Sequence, residues 1–158
     1  MFREMRRKER QLDDTASIEI LICGDFGILS TYGSNGYPYA TPLSYAYFNN
    51  CIYFHCAIEG LKIDNIDNNN KVCFCVTSGV ALNPEKFSVK YKSVIVFGTA
   101  SEVFYPEKDT ALKELIKKYS GEFTEKAGKY IESSKDKTRV FKIEIEHITG
   151  KSNIKLDG

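Results

Sequence analysis

The chemistry open to this chain is concentrated in two short segments. In the first, Tyr53-Phe-His-Cys-Ala-Ile-Glu-Gly-Leu-Lys62, a strand ends with His55, the chain turns through Gly60, and Lys62 follows at the start of a helical turn. That order lets an imidazole, an ammonium and the free N–H groups of the turn converge on one anion, and a phosphate is the natural guest. In the second, Tyr39-Ala-Thr-Pro-Leu-Ser-Tyr45, a proline interrupts a β run. Pro42 has no N–H to give a ladder, so it marks an edge, a bulge, or a place where something other than a strand approaches. Together the residues argue for a phosphorylated small ligand. The ordinary readings stay open beside it: a structural strand histidine, a solvated lysine and an edge-strand proline.

Other chemistries lack their residues. The chain has 158 residues, with 22 Lys and Arg against 21 Asp and Glu, and the net charge of +1 offers no bulk basic field for nucleic acid. Dinucleotide-fold glycines, a phosphate-binding P-loop, the HExxH zinc motif and a GxSxG elbow are all missing. With His55 and His147 as the two histidines, a three-histidine metal site cannot be built, and no metal is expected. Five cysteines, Cys23, Cys51, Cys56, Cys73 and Cys75, cannot all pair within one chain, and none forms CxxC. They read as buried, reduced small hydrophobes, which suits a cytoplasmic protein. No apolar run reaches the roughly 20 residues of a membrane span, and the basic start leads into no signal-peptide core.

The elements that must position the two segments follow from periodicity. Asp14–Cys23 reads as a short helix capped by Asp14 or Thr15 and ended by Gly24. Six β runs are expected: Phe26–Tyr32, Tyr39–Phe48, Cys51–Ala57, Lys71–Thr77, Phe87–Val103 with Gly98 as a bulge or bend, and Thr138–Ile148. Gly33-Ser34-Asn35-Gly36 and Asn49-Asn50 are the turns between the first three. A helical turn covers Glu59–Asn70. The longest helical pattern starts at Pro106, with Leu112, Leu115, Ile116 and Tyr119 on one face and Asp109–Lys113 and Glu114–Lys118 as ion pairs. A weaker helix spans Phe123–Ile131. The expected whole is a single domain over 1–158, mainly β: a small closed antiparallel barrel with a basic, solvated arm at 1–13 and a helical insertion at 106–131.

Five segments carry a resemblance to a known family: Met5–Arg10, Tyr39–Tyr45, Tyr53–Asp64, Tyr91-Lys-Ser-Val94 and Ile143–Lys151. In this order they are similar to the pyridoxamine 5′-phosphate oxidase-like FMN-binding split barrels, and within them to the branch of the nitroimidazole-resistance (Nim) proteins. The resemblance implies a six-stranded split barrel that dimerises, with FMN in each of two clefts between protomers and FAD as the larger alternative. It places the backbone of Thr41, Pro42, Leu43 and Ser44 along the isoalloxazine, His55, Cys56 and Ala57 beside the flavin, and Lys62 on its phosphate. Lys92 and Ser93 add polar contacts, from the partner chain if the cleft is shared. Tyr39 or Tyr45 is expected to stack on the ring.

A flavin supplies the redox chemistry and the protein supplies orientation and access. The implied function is an FMN-dependent oxidoreductase that reduces a small acceptor of the nitroaromatic or nitroimidazole type, with His55 as general acid. The rival is a non-catalytic flavin-binding protein of a stress-related or sensory kind. Haem in the same barrel is a third reading, with His55 and His147 as its histidine axial-ligand candidates.

Overall fold

A computed structural model describes residues 2–121 and 125–154 of the chain. After a 3-10 turn at Lys8–Arg10 come β1 (Gln11–Leu12), α1 (Asp14–Cys23), β2 (Gly27–Tyr32), β3 (Pro38–Leu43), β4 (Ala46–Phe48), β5 (Cys51–Cys56), α2 (Leu61–Asn68), β6 (Lys71–Asn83), β7 (Ser88–Glu102), α3 (Glu107–Ser120), α4 (Glu125–Ser134) and β8 (Arg139–Ser152). The strands form one antiparallel sheet in the order β3-β2-β6-β7-β8-β5-β4, with β1 added to β8. Its two ends, β3 and β4, are separated by Ser44 and Tyr45 alone. Two residues span only ~10 Å or less, so the last residue of β3 lies near the first of β4, and the chain itself links the two ends of the sheet. That is a split barrel.

Eight strands replace the six expected, for two reasons. The run Tyr39–Phe48 breaks into β3 and β4 because Tyr45 turns inward: it is fully buried, and its hydroxyl donates to the Leu21 carbonyl at 2.7 Å. The basic arm, expected to be solvated, contributes β1, which pairs Gln11 with Lys151 and Leu12 with Gly150. Phe2, further up the same arm, stacks on His147 at 4.5 Å.

Other boundaries shift for local causes. The cap of α1 is Asp13, whose side chain accepts from the Ala16 N–H at 2.8 Å, in place of Asp14 or Thr15. Asn49 and Asn50 both take positive φ, 49° and 58°, the geometry that suits a two-residue hairpin turn. β6 runs on six residues past Thr77, because it pairs with β7 as a two-stranded arm to Asn83 and Ser88. Asp109 pairs with Lys113 at 2.8 Å as expected, but Glu114 pairs with Lys117 rather than Lys118. The weaker helix begins at Glu125; its expected start, Phe123, lies outside the described residues.

Alternation fills the barrel. Leu29, Ile52, Phe54, Phe74, Val76, Val94, Val96, Phe141 and Ile143 point inward and are nearly or wholly buried. Ile20 and Leu21 of α1 and Ile63 and Ile66 of α2 join that core. A register shift opposite Phe97–Gly98 leaves Glu146 without a ladder partner. Gly98 is required there, since a Cβ would run into the Glu144 carbonyl. The extra residue flips the parity of β8, so Ile148 turns toward the core while His147 faces out. Simple alternation along Thr138–Ile148 puts His147 on the same side as Phe141 and Ile143, and the bulge reverses it.

The outer face divides in two. Over β4, β5 and β8 it is covered by α3, where Tyr53, Val103, Ala111 and Val140 make a second core with Phe48 and Leu112 against it. Over β3, β2, β6, β7 and β8 most of it is bare. Two ladder rows cross those five strands, Pro42-Ile28-Cys75-Ile95-Thr149 and Ala40-Ser30-Cys73-Phe97-His147. Ile28, Ile95 and Phe97 are exposed in them, and Phe87, at the tip of the β6–β7 arm, is 98% exposed. The expectation of buried cysteines holds for Cys56 alone: Cys23 is exposed and Cys51, Cys73 and Cys75 are half-buried, because alternation turns Cys73 and Cys75 outward. All five are free thiols.

Candidate functional site

His55 sits near the end of β5, on its outer face, beside Cys56, which alternation sends into the main core. Gly60 then takes φ 144°, a conformation that favours glycine, and starts α2. The first N–H groups of that helix have no intrahelical acceptor, and Lys62 lies on this opening turn. Among the described residues Lys62 is in no ion pair with a carboxylate. Its charge reaches back to His55. Desolvation by the surrounding protein, and then repulsion from Lys62, hold the imidazole below its ordinary pKa although the residue is exposed. His55 and Lys62 are therefore close enough in space for their charges to interact.

The second segment arrives from the other side. β3 is a sheet edge and pairs only with β2, so Pro42, opposite Ile28, costs no ladder bond on its free side. Thr41 has a buried hydroxyl with no hydrogen-bond partner. An orphaned buried hydroxyl costs free energy unless a ligand or water satisfies it. Leu43 packs onto the core, and Ser44 faces a cavity of about 180 Å³ whose wall also includes His55. Ser44 and His55 are thus brought together, although ten residues and a hairpin separate them in sequence.

The break between β3 and β4 is held from α3. The Tyr119 hydroxyl accepts from the Tyr45 N–H at 2.9 Å and donates to the Asp25 carbonyl at 2.6 Å, replacing the ladder partner that Tyr45 lacks. Burial raises the Tyr119 phenol above its ordinary pKa. Lys118 lies against the same knot, with its ammonium 3.7 Å from the centre of the Tyr45 ring. Its Nζ is buried without a hydrogen-bond partner, and desolvation pushes its pKa down to about 8.

Several expected placements differ. Tyr45 is enclosed and cannot stack on a flat ring, whereas Tyr39 on β3 is exposed. Tyr53 shares the His55 face but is covered by α3, donating to Glu107 at 2.8 Å and stacking on Phe48 at 4.0 Å. Ala57 is exposed next to His55, while the Cys56 thiol is buried, so only its backbone is free to meet a ligand. Lys92 and Ser93 are remote. On β8 the partner of His55 is Val140 and the partner of Lys92 is Ser152, twelve residues further along. At ~3.3 Å per residue that is on the order of 40 Å of strand.

Two contributors were not legible as site residues. Arg139 lies directly opposite Cys56, but Glu102 holds it at 2.7 Å, so it is not a free second cation. The α3 face of Leu112, Ile116 and Tyr119, readable as an amphipathic stripe, turns out to wall the cavity beside His55.

These residues fit a flavin phosphate and ring edge: an unpaired lysine on a helix start, an exposed imidazole within reach of its charge, and an uncovered strand edge with a proline. Among the described residues no group of three His, Cys, Asp or Glu could hold a metal ion, and no helix is long and apolar enough to cross a membrane.

Known proteins place the fold. The structure is similar to that of a candidate 5-nitroimidazole antibiotic resistance protein from Bacteroides thetaiotaomicron, with TM-score 0.77 and 24% identity, over 90% of this chain and 86% of that one. A conserved hypothetical protein from Mycobacterium tuberculosis superposes with TM-score 0.82 at 18% identity, over 94% and 90% of the two chains. An FAD-binding protein from Mesorhizobium loti gives 0.69 at 22%, over 92% and 98%. At these identities the likeness is one of fold. No curated protein matches the chain. The family model of pyridoxamine 5′-phosphate oxidase matches residues 13–152, from the cap of α1 to the end of β8, and the chain belongs to that family.

Proposed function

We propose that this chain is a flavin-dependent oxidoreductase that binds FMN in a cleft shared by two copies and reduces a small acceptor of the nitroaromatic class. The observation that carries the reading is the convergence of Lys62, His55 and Ser44 at the end of β5. Lys62 and the α2 N-terminus would bind the phosphate, and the edge backbone from Thr41 to Ser44 would lie along the ring. The separation of Lys92 and Ser93 from His55 supports a second copy, since within one protomer the two groups lie opposite positions of β8 twelve residues apart. The bare apolar rows through Ile28, Ile95 and Phe97 are the surface such a copy would cover.

Bound flavin supplies a two-electron carrier between a reduced nicotinamide donor and the acceptor. For a nitro group the balance consumes one reduced nicotinamide and one proton and releases a nitroso product, oxidised nicotinamide and water. His55 is the group placed to hold that proton. Its imidazole is mostly neutral at pH 7, because its pKa lies below the ordinary ~6.5, so the protonated form grows on the acid side. An anion on Lys62 cancels the repulsion and lifts that pKa, which couples phosphate binding to proton supply.

The test is titration of the purified protein with FMN. One flavin per protomer should survive gel filtration, and Lys62→Ala should weaken binding about 10- to 100-fold, the usual worth of a hydrogen bond to a charged group. Protein that stays colourless after FMN addition overturns the proposal. Anaerobic mixing with reduced nicotinamide should bleach the flavin within seconds; lack of bleaching with any such donor leaves a flavin binder without turnover.

A further inference from the structure

We infer that the cavity between α3, α4 and the outer face of β5 is the acceptor's own subsite, and that Leu112, Ile116 and Tyr130 set which molecules enter it. The inference rests on the proposed reductase function for the word acceptor, but the cavity's selectivity follows from its walls alone.

Three features define the guest. The first is size. The cavity measures about 180 Å³, and a cavity of about 150 Å³ lined by apolar side chains takes a benzene molecule. One ring with a small substituent fills it, and a second fused ring has to extend out through its open side. The three-ring system of a flavin is larger still, so this is not the cofactor's bed.

The second feature is charge. Leu112, Leu115, Ile116 and Ile131 supply its apolar wall, and among the described residues no Lys, Arg, Asp or Glu side chain lines it. A charged guest would lose its hydration without a counter-charge. The guest is therefore neutral.

The third is direction. The Tyr119 hydroxyl is already committed to Asp25 and Tyr45; Ser120, Tyr130, Ser134 and Thr138 add hydroxyls to the wall, and the single imidazole in it is His55, beside Ser44. A neutral ring bearing one acceptor group would enter ring-first against α3 and α4 and present that group to the imidazole.

The gate residues are separable from the framework. Leu115 and Ile131 are nearly buried and hold the two helices onto the barrel. Leu112 and Ile116 are half-buried on the same α3 face, and Tyr130 of α4 is exposed. Changes at these three alter the space without removing the support beneath it.

The experiment uses the full chain without added flavin and reads the two histidine rings by proton NMR, together with calorimetric titration. Nitrobenzene should bind and shift the His55 resonances, at least tenfold tighter than 4-nitrobenzoate or 1-nitronaphthalene. Ile116→Trp should weaken nitrobenzene at least tenfold while FMN titrates as in the unaltered chain, and Ile116→Ala should admit 1-nitronaphthalene. Leu112→Trp is the second filling variant, should Ile116→Trp fail to fold by circular dichroism. Equal affinity for the three probes, or unchanged nitrobenzene affinity in a folded filling variant, overturns the subsite. Loss of FMN binding with probe selectivity intact overturns the reductase reading alone.

Discussion

The outer face of the barrel is apolar at both ends, but the chain covers only one of them. Over β4, β5 and β8, α3 seals Tyr53 and Val140 into a second core and leaves a small cavity at His55. Across β2, β6 and β7, the same kind of side chain, Ile28, Ile95 and Phe97, stays exposed, with only Phe2 from the N-terminal arm laid on Phe97. The contrast teaches that outward apolar residues on a strand carry no fixed meaning. Covered by the chain's own helix they become core and pocket wall. Uncovered, they are the surface that the proposed second copy would cover.

The largest effect should come from crossing between faces. Phe74→Ala empties the shared interior and should cost about 3–5 kcal/mol in denaturant unfolding. On the adjacent strand, Ile95→Asp should leave the fold in place but cost several kcal/mol of association through facing like charges. Sedimentation should then show a dimer for the unaltered chain and a monomer for the variant. A monomer in both would break the comparison.

Within the covered region, Tyr119→Phe removes the acceptor of the Tyr45 N–H and should cost about 1–3 kcal/mol of stability. It should also loosen FMN, because the β3–β4 link sits next to Ser44, whereas a purely structural role would leave the flavin affinity of the folded protein unchanged. The smallest effect concerns Lys118. Its folded pKa of about 8 lies below the unfolded ~10.4, so between those values the unfolded chain binds more protons and stability rises with pH. The cost of burying its charge is fully present below pH 8. Lys118→Met should raise the melting temperature slightly at pH 7 and flatten that alkaline rise, as thermal scans from pH 7 to 10.5 would show.

How much was legible in the chain varied with the range of the cause. Residues 14–23 form the helix their spacing predicts, Asn49-Asn50 forms its turn, and Gly98 stands at its bulge, because each depends on neighbours along the chain. Pro42 lies on an edge for the same local reason. The break at Tyr45 was not legible, since the groups that hold it, the Leu21 carbonyl and the Tyr119 hydroxyl, come from elements 24 and 74 residues away. Simple alternation puts His147 on the wrong face, because one extra residue on β8, forced by the close approach of Gly98 and Glu144, reverses parity. Lys118 was read as one member of an exposed ion pair because helical spacing cannot tell which side chain lies over an aromatic ring from another element.

By itself the sequence determined the order of strands and turns, the family, and the His55–Gly60–Lys62 turn, all of which rest on residue type and short spacing. The tertiary structure alone decided that Ser44 meets His55, that α3 and α4 leave a one-ring cavity there, and that Lys92 and Ser93 on β7 lie opposite the far end of β8. Those depend on which strands pair and which face a helix covers. Such choices are made by burial summed over the whole chain, and no local window contains them.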